Sequence, residues 1–279
     1  MVTAMYMLCF NVGASVASLF GIALASVSYD LLFWAEGLAV LAFGLIAVLT
    51  LPRRAKAGAK PTRPTPAARE QAQGGYLAVL ADWRYLTFLG AFLMMAVVYC
   101  QYTAALPLAI THSGLSLWWY GAILTLNAVI ASTCQMATTK FVQNWPLLLT
   151  QMCGFGLLAV GYGIYAIALV PVLLIIGTLT WTASELIGAP TIFAYPGMVA
   201  PAHLRGRYFG AFQGVHGLAV AIGPVVGITL FDHLGQRAWL WAAGAGVLAT
   251  IIGQVALRRP TAVPGTEPAP ELAEAAPVG

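Results

Sequence analysis

Charge is what this sequence has least of. Only 8% of its 279 residues are Asp, Glu, Lys or Arg, against roughly 25% in a soluble domain, and that excludes a fold that lives in water. Segments of alternating polarity about ten residues long are absent too, which excludes a transmembrane β-barrel. The four cysteines (Cys9, Cys100, Cys134, Cys153) contain no C-x-x-C pair, so neither a disulfide framework nor a thiolate metal site is expected. They read as small apolar packing residues. His112, His203, His216 and His233 are scattered, with no H-E-x-x-H or similar cluster. No nucleophile stands beside a base, and no catalytic pair can be assembled. The sequence therefore predicts no metal, no cofactor and no enzyme.

What is present is apolar length. Residues of hydrophobic type make up 60% of the chain, and they fall in long runs at about 3–25, 30–51, 83–111, 117–138, 146–168, 171–199, 205–231 and 238–257. Runs of about 20 residues match the hydrocarbon core of a bilayer. Backbone groups in lipid must be satisfied within the segment, so each run is expected to be a helix. The fold class is all-α, a polytopic membrane protein with eight transmembrane helices. Pro107, Pro190, Pro196 and Pro224 are expected as kinks within them. Trp83, Trp118, Trp119, Trp145 and Trp239 sit near span ends, as interface anchors do. Ala23-Leu24-Ala25 looks like a signal-peptidase site, but no basic region precedes it and Asn11 interrupts the apolar stretch. The first run is therefore expected to stay as a span.

Orientation follows from the thirteen Lys and Arg. Arg53, Arg54, Lys56, Lys60, Arg63 and Arg69 lie between the second and third runs, with Arg84 where the third begins. Lys140 follows the fourth, Arg205 and Arg207 the sixth, and Arg258 and Arg259 the eighth. If the spans alternate, all of these share one side and Arg237 alone takes the other. Cytoplasmic loops carry the basic excess, so both termini are expected in the cytoplasm, with the chain multi-pass in the inner (plasma) membrane. The net charge of +4 then reports membrane topology and not nucleic acid. Four regions follow: residues 1–51, two helices; 52–81, a basic linker rich in Pro and Ala; 82–259, six helices; and 260–279, a tail of Pro, Ala and Glu. Linker and tail have the composition of disordered segments, and the linker suits contact with anionic lipid.

A shift of 202 residues lays the first two runs on the last two. Tyr6 meets Tyr208, Phe10 meets Phe212, Asn11 meets Gln213, Gly21 meets Gly223 and Asp30 meets Asp232. Internal repeats of this kind mark secondary transporters, whose two bundles rock about a midplane site. The repeat unit has six spans. One unit ends at residue 259, and the unit before it is present only as two helices, so four helices are expected upstream or from a partner chain.

Several stretches then carry a resemblance. Gln101, Leu106-Pro107, Gly114-Leu115-Ser116, Tyr120-Gly121, Asn127 and Gln135 form one set; Ser184-Glu185, Pro190, Ala200-Pro201 and Arg205-Gly206-Arg207-Tyr208-Phe209-Gly210 form another. In these the chain resembles the major facilitator superfamily, and within it the drug/proton antiporter branch, as helices five to twelve. The resemblance implies proton-coupled efflux of small amphipathic compounds by alternating access. Ser18-Leu19-Phe20-Gly21 lacks the proline of the branch's helix-five motif, whereas Gly223-Pro224-Val225-Val226-Gly227 keeps one. The loop Lys140-Phe141-Val142-Gln143-Asn144-Trp145-Pro146 has no carboxylate where the family has an acidic-basic signature.

Glu185 is the foremost candidate. It lies about fourteen residues into its run, about 21 Å deep, where an ionised carboxylate costs several kcal/mol unless paired, hydrated or protonated. Such a group suits proton coupling; a structural ion pair with Arg205 or Lys140 is the alternative. Gln101, Tyr102, Asn127 and Gln213 suit a substrate cavity, or else hydrogen bonds between helices worth about 0.6 kcal/mol each. Glu36 is close enough to a span end to be solvated, and His216 reads as a packing residue. Gly206, Gly210 and Gly214 stand at four-residue spacing, with Gly217, Gly223, Pro224 and Gly227 beyond, so a close and sliding helix contact is expected there. Lys140, Arg205 and Arg207 are candidates for a cytoplasmic gate. The expected partners are a small-molecule substrate, protons and the lipid bilayer. The competing expectation is a membrane protein that does not transport and only packs with another chain.

Overall fold

The computed structural model describes residues 27–50 and 76–257, together with the isolated positions Met5, Cys9, Gly13, Phe20 and Leu24. The expected first span and tail, most of the linker, and Arg258 and Arg259 lie outside the described residues. Among the described residues the chain is helical throughout, with no strand. Its α-helices are α1 (Tyr29–Thr50), α2 (Tyr76–Ala81), α3 (Trp83–Tyr99), α4 (Ala105–His112), α5 (Trp118–Val142), α6 (Leu147–Ile167), α7 (Pro171–Val199), α8 (Arg205–Leu234) and α9 (Ala238–Leu257).

Among the described residues, six helical stretches are long and apolar enough to cross a membrane. The last of them, Arg205–Leu257, runs 53 residues, about 80 Å if it were one helix and far more than a bilayer core of about 30 Å. A 3-10 turn at Gly235–Arg237 divides it into α8 and α9. Gly235 makes the break with a φ of 53°, a conformation that costs glycine nothing. The stretch is thus two helices, at the positions the sequence analysis gives to two separate runs.

Two boundaries differ from expectation. The last residues of the predicted linker form α2, because Tyr76-Leu77-Ala78-Val79-Leu80 is apolar enough to bury Val79, 2% exposed, beside the bundle. The predicted run 83–111 is two helices and not one. α3 stops at Tyr99, a 3-10 turn covers Cys100–Tyr102, and α4 restarts at Ala105.

The break lies upstream of Pro107, and side chains take up the carbonyls it frees. Gln101 Nε2 donates to Val97 O at 2.7 Å, Tyr162 OH to Tyr99 O at 2.9 Å, and Thr103 Oγ1 to Cys100 O at 2.8 Å. Backbone irregularity within lipid is tolerated where neighbours satisfy it in this way.

In the bundle α7 packs on α6 and α5, α9 on α6 and α3, and α8 on α3. Small residues set the α6–α7 contact. A Cβ built on Gly188 would lie 2.5 Å from the Gly154 Cα, so only glycines let the two backbones come this close. Glutamines tie α9 to α6. Gln254 Nε2 donates to Leu148 O and to Gln151 Oε1, both at 2.6 Å. At the end of the bundle bearing Lys140 and Arg205, aromatic rings join α3, α7 and α8. Phe88 lies 4.3 Å from Tyr195, Phe92 4.3 Å from Phe212, and Phe193 sits edge-on to Phe212 at 5.2 Å, centroid to centroid.

Candidate functional site

The candidate site is built on α7. The helix starts at Pro171, where the missing N–H is no loss because the first turn has no partner for it. Pro190 lies inside the helix and leaves the Leu186 carbonyl four residues before it without its usual donor. Gln135 of α5 supplies one: its Nε2 lies 3.5 Å from Leu186 O and 3.3 Å from Thr139 Oγ1. Gln135 is thereby committed to holding α5 against α7 next to the site.

Glu185 lies one residue before that carbonyl. Fourteen residues separate it from Pro171 in a helix of 29, so it stands near the middle of the span, about 21 Å from the helix start. Asn127 of α5 donates from Nδ2 to Glu185 Oε2 at 3.1 Å and to Thr182 Oγ1 at 3.1 Å. Thr182 Oγ1 in turn donates to Thr178 O at 2.7 Å. The order is fixed: the threonine hydroxyl spends its proton on the helix backbone, accepts from Asn127, and leaves the amide's other N–H for the carboxylate. Glu185 is half-buried. Among the described residues its one hydrogen-bond partner is Asn127.

An aromatic wall adjoins this group one turn away. Tyr102 stacks on Trp181 with centroids 5.8 Å apart, and Tyr99 meets Trp181 edge-on at 6.1 Å and Tyr102 at 5.1 Å. Trp181 Nε1 donates to Tyr165 OH at 3.1 Å, and that hydroxyl pairs with Thr178 Oγ1 at 2.8 Å. Both Tyr99 and Tyr102 are within electrostatic reach of the Glu185 carboxylate. Flat rings with polar rims beside a carboxylate give apolar area and cation-π attraction in one place. The break after Tyr99 is what turns Tyr102 toward α7.

The other predicted residues fall elsewhere. Gln101 is buried and bonded to Val97 O and, at 3.0 Å, to Gly223 O of α8, a link between helices and not part of the Glu185 group. Gln213 is exposed on α8 and makes no hydrogen bond to that group. Lys140 ends α5 and Arg205 begins α8, both exposed, with Arg207 half-buried beside them. Neither Lys140 nor Arg205 forms an ion pair with Glu185 among the described residues.

Of the glycines, Gly206, Gly214 and Gly217 have nothing within 4 Å of a built Cβ, and Gly210 meets the Tyr76 hydroxyl at 3.2 Å. Close approach is found instead at Gly223, where a built Cβ would lie 2.7 Å from the Cys100 Cβ, and at Gly227, where the Gln101 carboxamide occupies a side chain's place. Pro224 lies between them. His216 sits among Phe92 and Phe193 at 6.1 and 5.8 Å, as a packing residue does. No group of three or more His, Cys, Asp or Glu able to hold a metal is found among the described residues.

Sequence reasoning missed Thr182, Trp181 and Tyr99. Thr178, Trp181, Thr182 and Glu185 recur at spacings of three and four, a polar stripe along α7 that periodicity alone could have revealed. It missed Asp82 as well, at the start of the six-helix region. Asp82 caps α3 by accepting from Tyr85 N at 3.1 Å and takes the Tyr208 hydroxyl at 2.8 Å, while Tyr85 OH donates to Tyr208 O at 2.7 Å.

Comparison with known proteins gives this geometry its context. The profile of the Major Facilitator Superfamily matches residues 1–224. An uncharacterized MFS-type transporter of Bacillus subtilis (strain 168), YqjV, is 24% identical over 197 residues, which cover 69% of this chain and 47% of that relative. A second from the same organism, YttB, is 23% identical over 232 residues, 82% of this chain and 56% of the relative. The MFS-type transporter poxA of Penicillium oxalicum is 27% identical over 157 residues, 54% of this chain and 27% of that protein. The chain thus spans about half the length of the two bacterial relatives it matches. With most of its residues under one profile, the chain belongs to the major facilitator superfamily, a family of multi-pass membrane transporters and not of enzymes.

Proposed function

We propose that this chain contributes the C-terminal bundle of a proton-coupled exporter of small amphipathic compounds, working by alternating access. Both termini face the cytoplasm, and the membrane is the plasma membrane. The observation that carries the reading is Glu185. A carboxylate at mid-span has a neutral partner on one oxygen, the Asn127 amide at 3.1 Å, and no cation beside it among the described residues. A structural ion pair would bring a cation to it, and among the described residues none is there. A group so placed is stable as the acid in the empty site, and a cation arriving on the Tyr102–Trp181 wall favours loss of the proton. Proton release and cation binding are then two faces of one equilibrium. Asn127 holds Glu185 in place in either state, since a carboxyl oxygen accepts from an amide whether protonated or not.

The test is transport in everted vesicles, with the chain expressed together with the upstream helices where the reading frame supplies them. Glu185→Gln keeps size and hydrogen bonding but cannot release a proton. Uptake of a cationic dye driven by a pH gradient should fall to background, and dye binding at equilibrium should lose its pH dependence. Undiminished gradient-driven uptake in the variant removes Glu185 from the mechanism.

One observation favours a second reading, that the chain only packs with a partner. Helix α1 buries none of its described side chains and needs neighbouring helices to do so. Purification of tagged chain separates the two: a stoichiometric second polypeptide supports the partner reading, and a single longer band the exporter.

A further inference from the structure

An asparagine amide can face a carboxyl group in either of two ways, offering an N–H or an oxygen. The two differ for a group that gains and loses a proton. An N–H bonds both states, because a carboxyl oxygen accepts whether or not the acid is protonated. An amide oxygen bonds only the acid, by taking its O–H, and repels the carboxylate. A neutral acid left to itself favours that second arrangement, since O–H···O bonds are the shorter kind. Glu185 meets the nitrogen: Asn127 Nδ2 lies 3.1 Å from its Oε2.

Thr182 accounts for the choice. It is buried, and its hydroxyl donates to Thr178 O at 2.7 Å, the bond that a helical threonine makes to the preceding turn. With its one proton committed there, Oγ1 can only accept. Asn127 Nδ2 reaches it at 3.1 Å, the same distance as to Glu185, so a single nitrogen bonds both. Turning the amide would set its oxygen against Thr182 Oγ1 and Glu185 Oε2 together, and with the carboxylate ionised no proton lies between the three. Thr178 is held in turn, its own hydroxyl pairing with Tyr165 OH at 2.8 Å.

No ionised neighbour competes for this role among the described residues. α6 contains no Asp, Glu, Lys, Arg or His. α5 carries only Lys140, about 20 Å along the helix from Asn127. α8 brings His216 against Phe193, whose place on α7 is about 12 Å beyond Glu185. The break after α3 brings the phenols Tyr99 and Tyr102 within electrostatic reach, and neither bonds to Glu185 or to Asn127.

We propose that Thr182 is a positioning residue: by fixing the Asn127 amide as a donor, it keeps the Glu185 proton out of a bond with Asn127 and free to leave when a cation binds. This deepens the reading of Glu185 as the proton-coupling group and rests on it.

The test is infrared spectroscopy of the chain in lipid nanodiscs across a pH series. The Glu185 acid is identified as the carboxylic C=O band that Glu185→Gln removes. In the unaltered chain that carbonyl accepts from Asn127. Thr182→Val keeps the shape and removes the acceptor, so the amide turns and the acid donates to it instead. Its C=O band should then move to higher wavenumber, and Thr182→Ser, which restores the hydroxyl, should return the band to its place. Gradient-driven uptake of a cationic dye by Thr182→Val should fall about tenfold, the worth of one hydrogen bond. Should Thr182→Val not fold, Thr182→Ala removes the same hydroxyl and is read in the same way. A band unmoved by loss of the hydroxyl, or a shift that Thr182→Ser reproduces, overturns the proposal and leaves Glu185 in its role. If Glu185→Gln removes no carboxylic band at any pH, Glu185 carries no proton, and the transport reading falls together with this one.

Discussion

Helix α1 and the bundle of α3 to α9 are built from similar residues and end in opposite situations. α1 is at least as apolar as any other helix, yet Phe33, Trp34, Leu41 and Phe43 are each over 70% exposed. In the bundle, α6 and α7 carry Trp181, Tyr162, Tyr165 and Phe155 at 1% exposure or less. Apolar character therefore does not decide which helices associate. Lipid is as apolar as leucine, so there is little hydrophobic drive between helices once they are in the membrane. What separates the regions is shape and polar attachment. Gly154 and Gly188 put two backbones in contact, whereas Gly37 and Gly44 of α1 have nothing within 4 Å. Gln101, Gln135, Gln151 and Gln254 bond across the bundle, and α1 has no glutamine to offer.

The largest effect that sharpens this contrast comes from the α6–α7 crossing. Gly188→Leu would drive a side chain into the Gly154 Cα, which neither backbone can yield without the helices separating. A loss of about 3 kcal/mol is expected, seen as collapse of the monodisperse peak in detergent chromatography. Gly44→Leu in α1 should leave that peak unchanged, within about 0.5 kcal/mol. If Gly44→Leu does comparable damage, α1 is packed after all and the contrast fails.

Next in size is the glutamine glue. Gln135→Leu leaves the Leu186 carbonyl, already deprived by Pro190, with no donor. The cost expected is about 1 to 2 kcal/mol in thermal unfolding. Pro190→Ala returns a backbone N–H to that carbonyl, so the double variant should lose less than the two single losses added together. Strict additivity would mean that Gln135 does not serve Pro190. A smaller loss, about 1 kcal/mol, is expected from Tyr208→Phe, which removes the bond to Asp82 and keeps the ring 4.4 Å from Tyr85.

Span positions were legible in the sequence because hydrocarbon thickness writes itself as run length. The run at 171–199 coincides with α7, and that at 238–257 with α9. The break after Tyr99 was not legible. Its residues, Cys100-Gln101-Tyr102-Thr103, sit in an apolar run with a proline further on, and what ends the helix is the set of partners supplied by Tyr162 and Gly223, more than sixty residues away. For the same reason Gln101 read as a cavity residue: polarity within a span is visible in sequence, but the direction it faces is set by neighbours. Glu185 and Asn127 could be singled out for depth and polarity. That they share a hydrogen bond across 58 residues follows only from the packing of α5 on α7.

The smallest expected effect tests α1 from its polar side. Glu36 is exposed and lies in the second turn of a helix whose first turn also carries Asp30. Negative charge near a helix start is mildly favourable, by roughly 0.3 to 1 kcal/mol at most, and less one turn in. Glu36→Gln should therefore move the unfolding temperature of the bundle scarcely at all, because among the described residues Glu36 is exposed and makes no hydrogen bond or ion pair to α3–α9. A carboxylate engaged by another helix would behave otherwise, since removing one partner of a desolvated pair costs several kcal/mol. A shift of several degrees on Glu36→Gln would place a helix against α1 in the membrane. No shift would leave α1 as it stands here, apolar enough to enter the bilayer but with glycines that meet no neighbour and no amide to bond across helices.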